Sequence, residues 1–92
     1  MIKSFKHKGL SLFWEKGDKS KLKPAHISKI ENILDTLNSA TNLQSCDMPN
    51  KRLHPLKEFD PVRYSLDVSA NYRITFEFVD GNAYNVDYID TH

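Results

Sequence analysis

Residues 63–90 read RYSLDVSANYRITFEFVDGNAYNVDYID, and their two-residue alternation decides the fold. Tyr64, Leu66 and Val68 take one face of an extended chain; Tyr72, Ile74, Phe76 and Phe78 repeat the pattern, and Tyr84, Val86 and Tyr88 repeat it again. Between the last two runs stands Asp80-Gly81, a strong hairpin signal because glycine accepts the positive φ of a tight turn. Asn71 is expected to serve the preceding turn in the same way, since asparagine tolerates the left-handed region. The result is an antiparallel meander of three strands, with Ile2 to Phe5 a candidate for one edge. Parity assigns Ser65, Asp67, Arg73, Thr75, Glu77, Asn85 and Asp87 to the solvent face, and Tyr72, Tyr84 and Tyr88 to the core.

Upstream of the strands the period changes to that of a helix. Leu10, Phe13 and Trp14 form a brief apolar stripe after Gly9, and Gly17 stands where a left-handed cap would end it. A second helix opens at Pro24, carries Ile27, Ile30, Leu34 and Leu37 on one face, and ends near Ala40. Residues 41–51 are polar, contain Pro49 and read as a surface connection. The fold class is therefore α+β, two N-terminal helices packed on one face of a small antiparallel sheet, and residues 1–92 read as a single domain.

A chain of 92 residues buries about 60–65% of its unfolded surface, so any site sits on the surface of one core. With 39% hydrophobic and 27% charged residues it is too apolar to be disordered. Cys46 is the only cysteine, which excludes an internal disulfide, a zinc ribbon and a CxxC pair. No signal-peptide run opens the chain and no apolar stretch suits a membrane span, so the expectation is a soluble, cytoplasmic protein with no membrane partner. The net charge is +1, but residues 1–23 carry +5 and residues 64–92 carry −4, with Arg73 the single base of that last segment. A basic N-terminal third suits a polyanion such as RNA, or a Lys-rich surface kept for solubility.

Four stretches give a family resemblance: MIKSFKHKGL at residues 1–10, LHPLK at 53–57, NYRITF at 71–76 and the closing Asp90-Thr91-His92. In this order and spacing the chain resembles the HigB toxins of the RelE superfamily. The resemblance implies a RelE-like fold and the toxin of a type II toxin–antitoxin system, a ribosome-dependent endoribonuclease that cuts messenger RNA without metal or other cofactor. It also implies three partners: a HigA-like helix-turn-helix antitoxin, the 30S decoding site with its message, and operator DNA reached only through the antitoxin.

Metal-independent RNA cleavage needs a base for the 2′-hydroxyl, a cation for the charge gathering on phosphorus, and an acid for the 5′-oxygen. The resemblance assigns catalysis to His54, Arg73, Asp90 and His92. Imidazoles exchange protons near cytoplasmic pH, a guanidinium matches phosphate oxygens and stays charged, and Asp90 is suited to orienting an imidazole or polarising a hydroxyl. Lys57, Asn71 and Thr91 are expected to contact RNA. From the residues alone each has a plainer reading: a structural His54, a frayed His92, a solvated Asp90, or an Arg73 paired with Glu77 or Asp87. Two rivals follow, a non-catalytic partner-binding or co-repressor domain and a metal site of His54, Asp90 and His92. The chain departs from the family at Thr91, where tyrosine is usual, at Ser69, where a base is common, and in the Glu58–Arg63 loop.

Overall fold

The computed structural model of the protein describes residues 1–91. Helix α1 spans Lys8–Lys16 and helix α2 spans Ile27–Ser39. Strands β1 (His54–Leu56), β2 (Arg63–Asp67), β3 (Tyr72–Val79) and β4 (Asn82–Asp90) form one antiparallel sheet in that order. The expected meander is thus β2–β4, and β1 adds a fourth strand that carries the candidate histidine. Pro55 is accommodated there because β1 lies at the sheet edge, where a missing N–H costs no ladder bond. At the opposite edge Ile2 and Phe5 bridge to Ala83 and Val86 in parallel, as the Ile2–Phe5 segment suggested.

Local chemistry explains the helix limits. Gly17 ends α1 at φ 71°, its N–H bonded to the Phe13 carbonyl and that of Asp18 to Leu12. The start of α1 carries a less usual cap: the His7 side chain accepts the Leu10 N–H at 3.2 Å. Pro24–His26 form a 3₁₀ turn that leads into α2. This helix buries Ile30, Ile33, Leu34 and Leu37 against Leu66, Ile74, Phe76 and Val86. The polar stretch 41–51 is not wholly a surface connection: Asn42 and Ser45 cap a short 3₁₀ helix, Leu43–Cys46, that buries Cys46, and Met48 follows it into the core.

Two expectations are corrected. Asn71 is not left-handed; the non-glycine residues at positive φ are Asn50, Arg52, Asp80 and Asn85 among the described residues. The turn is instead closed by Ser69, whose hydroxyl accepts the Tyr72 N–H at 3.3 Å. Tyr84 does not share the core face with Val86 and Tyr88. Thr75 pairs with Asp87 but Glu77 with Tyr84, so two β3 steps match three on β4, and Asn85 at φ 52° is the extra residue of a bulge. The bulge reverses parity, sending Ala83 into the core and Tyr84 to the side of Glu77. No helix among the described residues is long and apolar enough to cross a membrane.

Candidate active site

The sheet face opposite the helices is built in cross-strand rows. His54 pairs with Ser65, Ser65 with Thr75, and Thr75 with Asp87, which lays these four side chains across the sheet on one face. One step along, Asp67 pairs with Arg73 and Arg73 with Ile89. From strand spacing, the Cα atoms of His54 and Arg73 lie about 12 Å apart, within the combined reach of the two side chains.

This face is not open to solvent in its middle, contrary to the parity reading. Ser65 and Thr75 are buried, as is Arg63, whose Nη2 donates to Thr75 Oγ1 at 3.0 Å and to the Asn85 carbonyl at 2.8 Å. Its Nη1 pairs with Glu77 at 3.1 Å. Beside this arginine runs a groove of about 560 Å³, lined among others by Lys6, Phe59, Arg63, Asp87, Ile89 and Thr91. Glu58, Asp60, Glu77 and Asp87 outnumber the bases Lys6 and Arg63 along it, so the groove itself is unfavourable to an anion.

His54 Nδ1 lies 2.9 Å from the carbonyl oxygen of Arg52. A carbonyl can only accept, so Nδ1 carries the proton and donates it, which leaves the lone pair of the neutral ring on Nε2. Arg73 donates from Nη1 to Asp67 Oδ1 at 2.8 Å, not to Glu77 or Asp87. Those two are engaged elsewhere, Glu77 by Arg63 and Asn85, and Asp87 by the Tyr88 N–H. The other oxygen of Asp67 accepts from Arg52 Nε at 2.6 Å.

Lys57 is exposed just past β1. Asn71 and Thr91 are held together, the Asn71 carbonyl accepting the Thr91 N–H at 2.7 Å and its hydroxyl at 2.9 Å. Thr91 lines the groove, whereas Asp90 pairs with Tyr72 and falls on the opposite parity, beside Tyr88. His92 lies outside the described residues. The structure therefore brings His54, Arg73 and Thr91 to one face and leaves Asp90 on the other.

Tyr72 and Tyr88 lie on the core side, as parity expected, Tyr88 buried in the core and Tyr72 partly buried against it. Their rings meet at a tilt of 33° with centroids 5.2 Å apart, and the Tyr88 hydroxyl lies 2.6 Å from His26 Nδ1. Burial, then the charges of Lys23 and Lys29, lower the His26 pKa. Burial raises that of Tyr88, helped by Tyr72 and Asp90. Sequence reasoning missed Arg52 and the structural role of Arg63. It placed Asp67 on the right face without its partners, because those depend on register rather than on neighbours in sequence.

Comparison with known proteins identifies the family. Residues 3–92 match the family model described as the HigB-like toxin, the RelE-like toxin of type II toxin–antitoxin system HigB. The chain is also 42% identical over 92 residues, the whole of both chains, to a protein of Proteus vulgaris named Endoribonuclease HigB. The chain accordingly belongs to the HigB-like family of RelE-like toxins from type II toxin–antitoxin systems.

Proposed function

We propose that this toxin, an endoribonuclease, cuts messenger RNA held in the decoding site of the ribosome, using His54 as the general base. The observation that carries the reading is the 2.9 Å hydrogen bond from His54 Nδ1 to the Arg52 carbonyl, which directs the basic lone pair to Nε2. In the proposed reaction Nε2 takes the proton of a 2′-hydroxyl, and the 2′-oxygen attacks the adjacent phosphorus. Arg73 meets the charge that builds on the phosphoryl oxygens; its pair with Asp67 engages one terminal nitrogen, and a guanidinium has further N–H donors to offer. The bond from phosphorus to the 5′-oxygen breaks, and that oxygen takes a proton from His92 in its imidazolium form. The products are a 2′,3′-cyclic phosphate and a 5′-hydroxyl, with no metal or cofactor in the scheme.

Asp90, on the opposite parity to His54, is assigned to orienting the His92 ring. Lys57, Asn71 and Thr91 are assigned to RNA: Lys57 as a point charge on the backbone, and the clasped Asn71–Thr91 pair as a fixed rim. The partners are a HigA-like antitoxin, through which operator DNA is reached, and the ribosome with its message; the compartment is the cytoplasm. Induction of the toxin in a bacterial host tests this reading, together with cleavage of one message free and on programmed ribosomes. Growth arrest and cleavage confined to the ribosome-bound message are expected. Continued growth, or equal cleavage of the naked message, rejects the corresponding part.

A further inference from the structure

Asp67 is the point at which the two halves of the candidate site meet. Its Oδ1 accepts from Arg73 Nη1 at 2.8 Å and its Oδ2 from Arg52 Nε at 2.6 Å. Its backbone N–H donates to the Lys51 carbonyl at 2.7 Å, so one residue grips segment 51–52 by main chain and side chain together. Arg52 in turn presents the carbonyl that fixes the His54 ring. It does so from φ 51°, a left-handed conformation that a non-glycine residue keeps only when its surroundings hold it.

Magnitudes decide what this clasp is for. The Arg52 side chain is 73% exposed, and an ion pair with so exposed a partner adds little to stability. Its geometric consequence is larger. Without the carboxylate Arg52 can relax from positive φ and turn its carbonyl away, and the neutral His54 ring is then free to carry its proton on either nitrogen. Arg73 loses its anchor at the same time. We propose that Asp67 is a positioning residue of the ribonuclease, holding the Arg73 guanidinium in place and, through Arg52, fixing the His54 tautomer. The proposal rests on His54 and Arg73 acting as assigned above.

The test compares Asp67→Asn, Asp67→Glu, Arg52→Gln, His54→Ala and Arg73→Ala in the full-length toxin. The readouts are single-turnover cleavage on programmed ribosomes, the toxin concentration for half-saturation, melting temperature, and ¹⁵N spectra of the His54 ring in the free protein. Asp67→Asn is expected to lower the saturated rate about ten- to a hundred-fold, the usual consequence of misplacing a catalytic group, with half-saturation unchanged. It is also expected to turn the single Nδ1–H signature of His54 into a tautomer mixture, and Asp67→Glu is expected to recover part of the rate. If Asp67→Asn does not fold, Arg52→Gln, which leaves the Asp67–Arg73 pair in place, must show the same His54 change with a smaller loss of rate.

A native rate and a native ring signature in Asp67→Asn overturn the proposal. So does a loss of rate that merely follows the folded fraction. If His54→Ala and Arg73→Ala are inactive while Asp67→Asn is not, the positioning role alone fails. If His54→Ala and Arg73→Ala keep the native rate, the assignment of the site fails and the proposal falls with it.

Discussion

Arg63 on β2 pairs with Glu77 on β3, Nη1 to Oε2 at 3.1 Å, with both side chains largely withdrawn from water. The guanidinium also serves Thr75 and the Asn85 carbonyl at the β4 bulge, so it ties three strands together. Removing one member of such a pair leaves the other charge without its partner in a poorly solvated place. Arg63→Ala is expected to cost about 3 kcal/mol in chemical denaturation, while the double change Arg63→Met with Glu77→Leu costs less than the single one. A double variant at least as unstable as Arg63→Ala contradicts this account.

His26 gives stability a pH dependence of known sign. Its pKa is lowered from 6.5, chiefly by burial and then by Lys23 and Lys29, so the unfolded chain binds this proton more readily than the folded one. The contribution is therefore complete above about 6.5 and is lost as pH falls from there toward the folded-state pKa. The melting temperature should fall between pH 7 and pH 5, and His26→Gln should flatten that decline. An equally steep decline in the variant assigns the slope to other groups.

The two left-handed glycines differ in what a methyl group would meet. At Gly17, φ +71°, an added Cβ touches nothing within 4 Å; at Gly81, φ +77°, it lies 2.9 Å from the Thr41 carbonyl oxygen. Gly17→Ala should cost the conformational penalty alone, about 1 kcal/mol. Gly81→Ala should cost about 2 kcal/mol, because the contact with the backbone adds to that penalty. Equal melting temperatures for the two variants would show that the Thr41 segment yields freely.

Cys46 is buried, and burial pushes its thiol pKa up to about 11. The reactive thiolate is scarce at neutral pH and reagents cannot reach it, so modification requires the 3₁₀ helix at Leu43–Cys46 to open. Labelling by a maleimide at pH 7 should be slow in buffer and should accelerate across the denaturation midpoint. Rapid labelling of the native protein contradicts this placement.

Much of this was legible from residue order. The alternation through Ile74, Phe76 and Phe78 set β3, and Asp80-Gly81 set the hairpin, where φ values of 51° and 77° give the mirror-image turn that suits twisted strands. Gly17 marked the end of α1. Tyr84 was misplaced because the bulge at Asn85 breaks the two-residue period, and only an asparagine inside the strand hinted at it. Arg63 belonged in sequence to a loop and in space to the centre of the sheet. The Asp67 clasp needed the register of β2 against β3 and the path of segment 51–54, neither of which is a local property. The resemblance supplied His54 and Arg73 as candidates; the hydrogen bond to Arg52 supplied the orientation of the His54 ring.

The chemistry of the cut ends tests the central claim most directly. Message cleaved on programmed ribosomes should carry a 2′,3′-cyclic phosphate on the upstream fragment and a 5′-hydroxyl on the downstream one. The 5′ end should accept phosphate from polynucleotide kinase without prior phosphatase treatment, and His54→Ala should slow its appearance roughly 10²–10⁴-fold. Downstream fragments bearing a 5′-phosphate, or a His54→Ala variant as fast as the native toxin, would contradict a 2′-hydroxyl nucleophile activated by this imidazole.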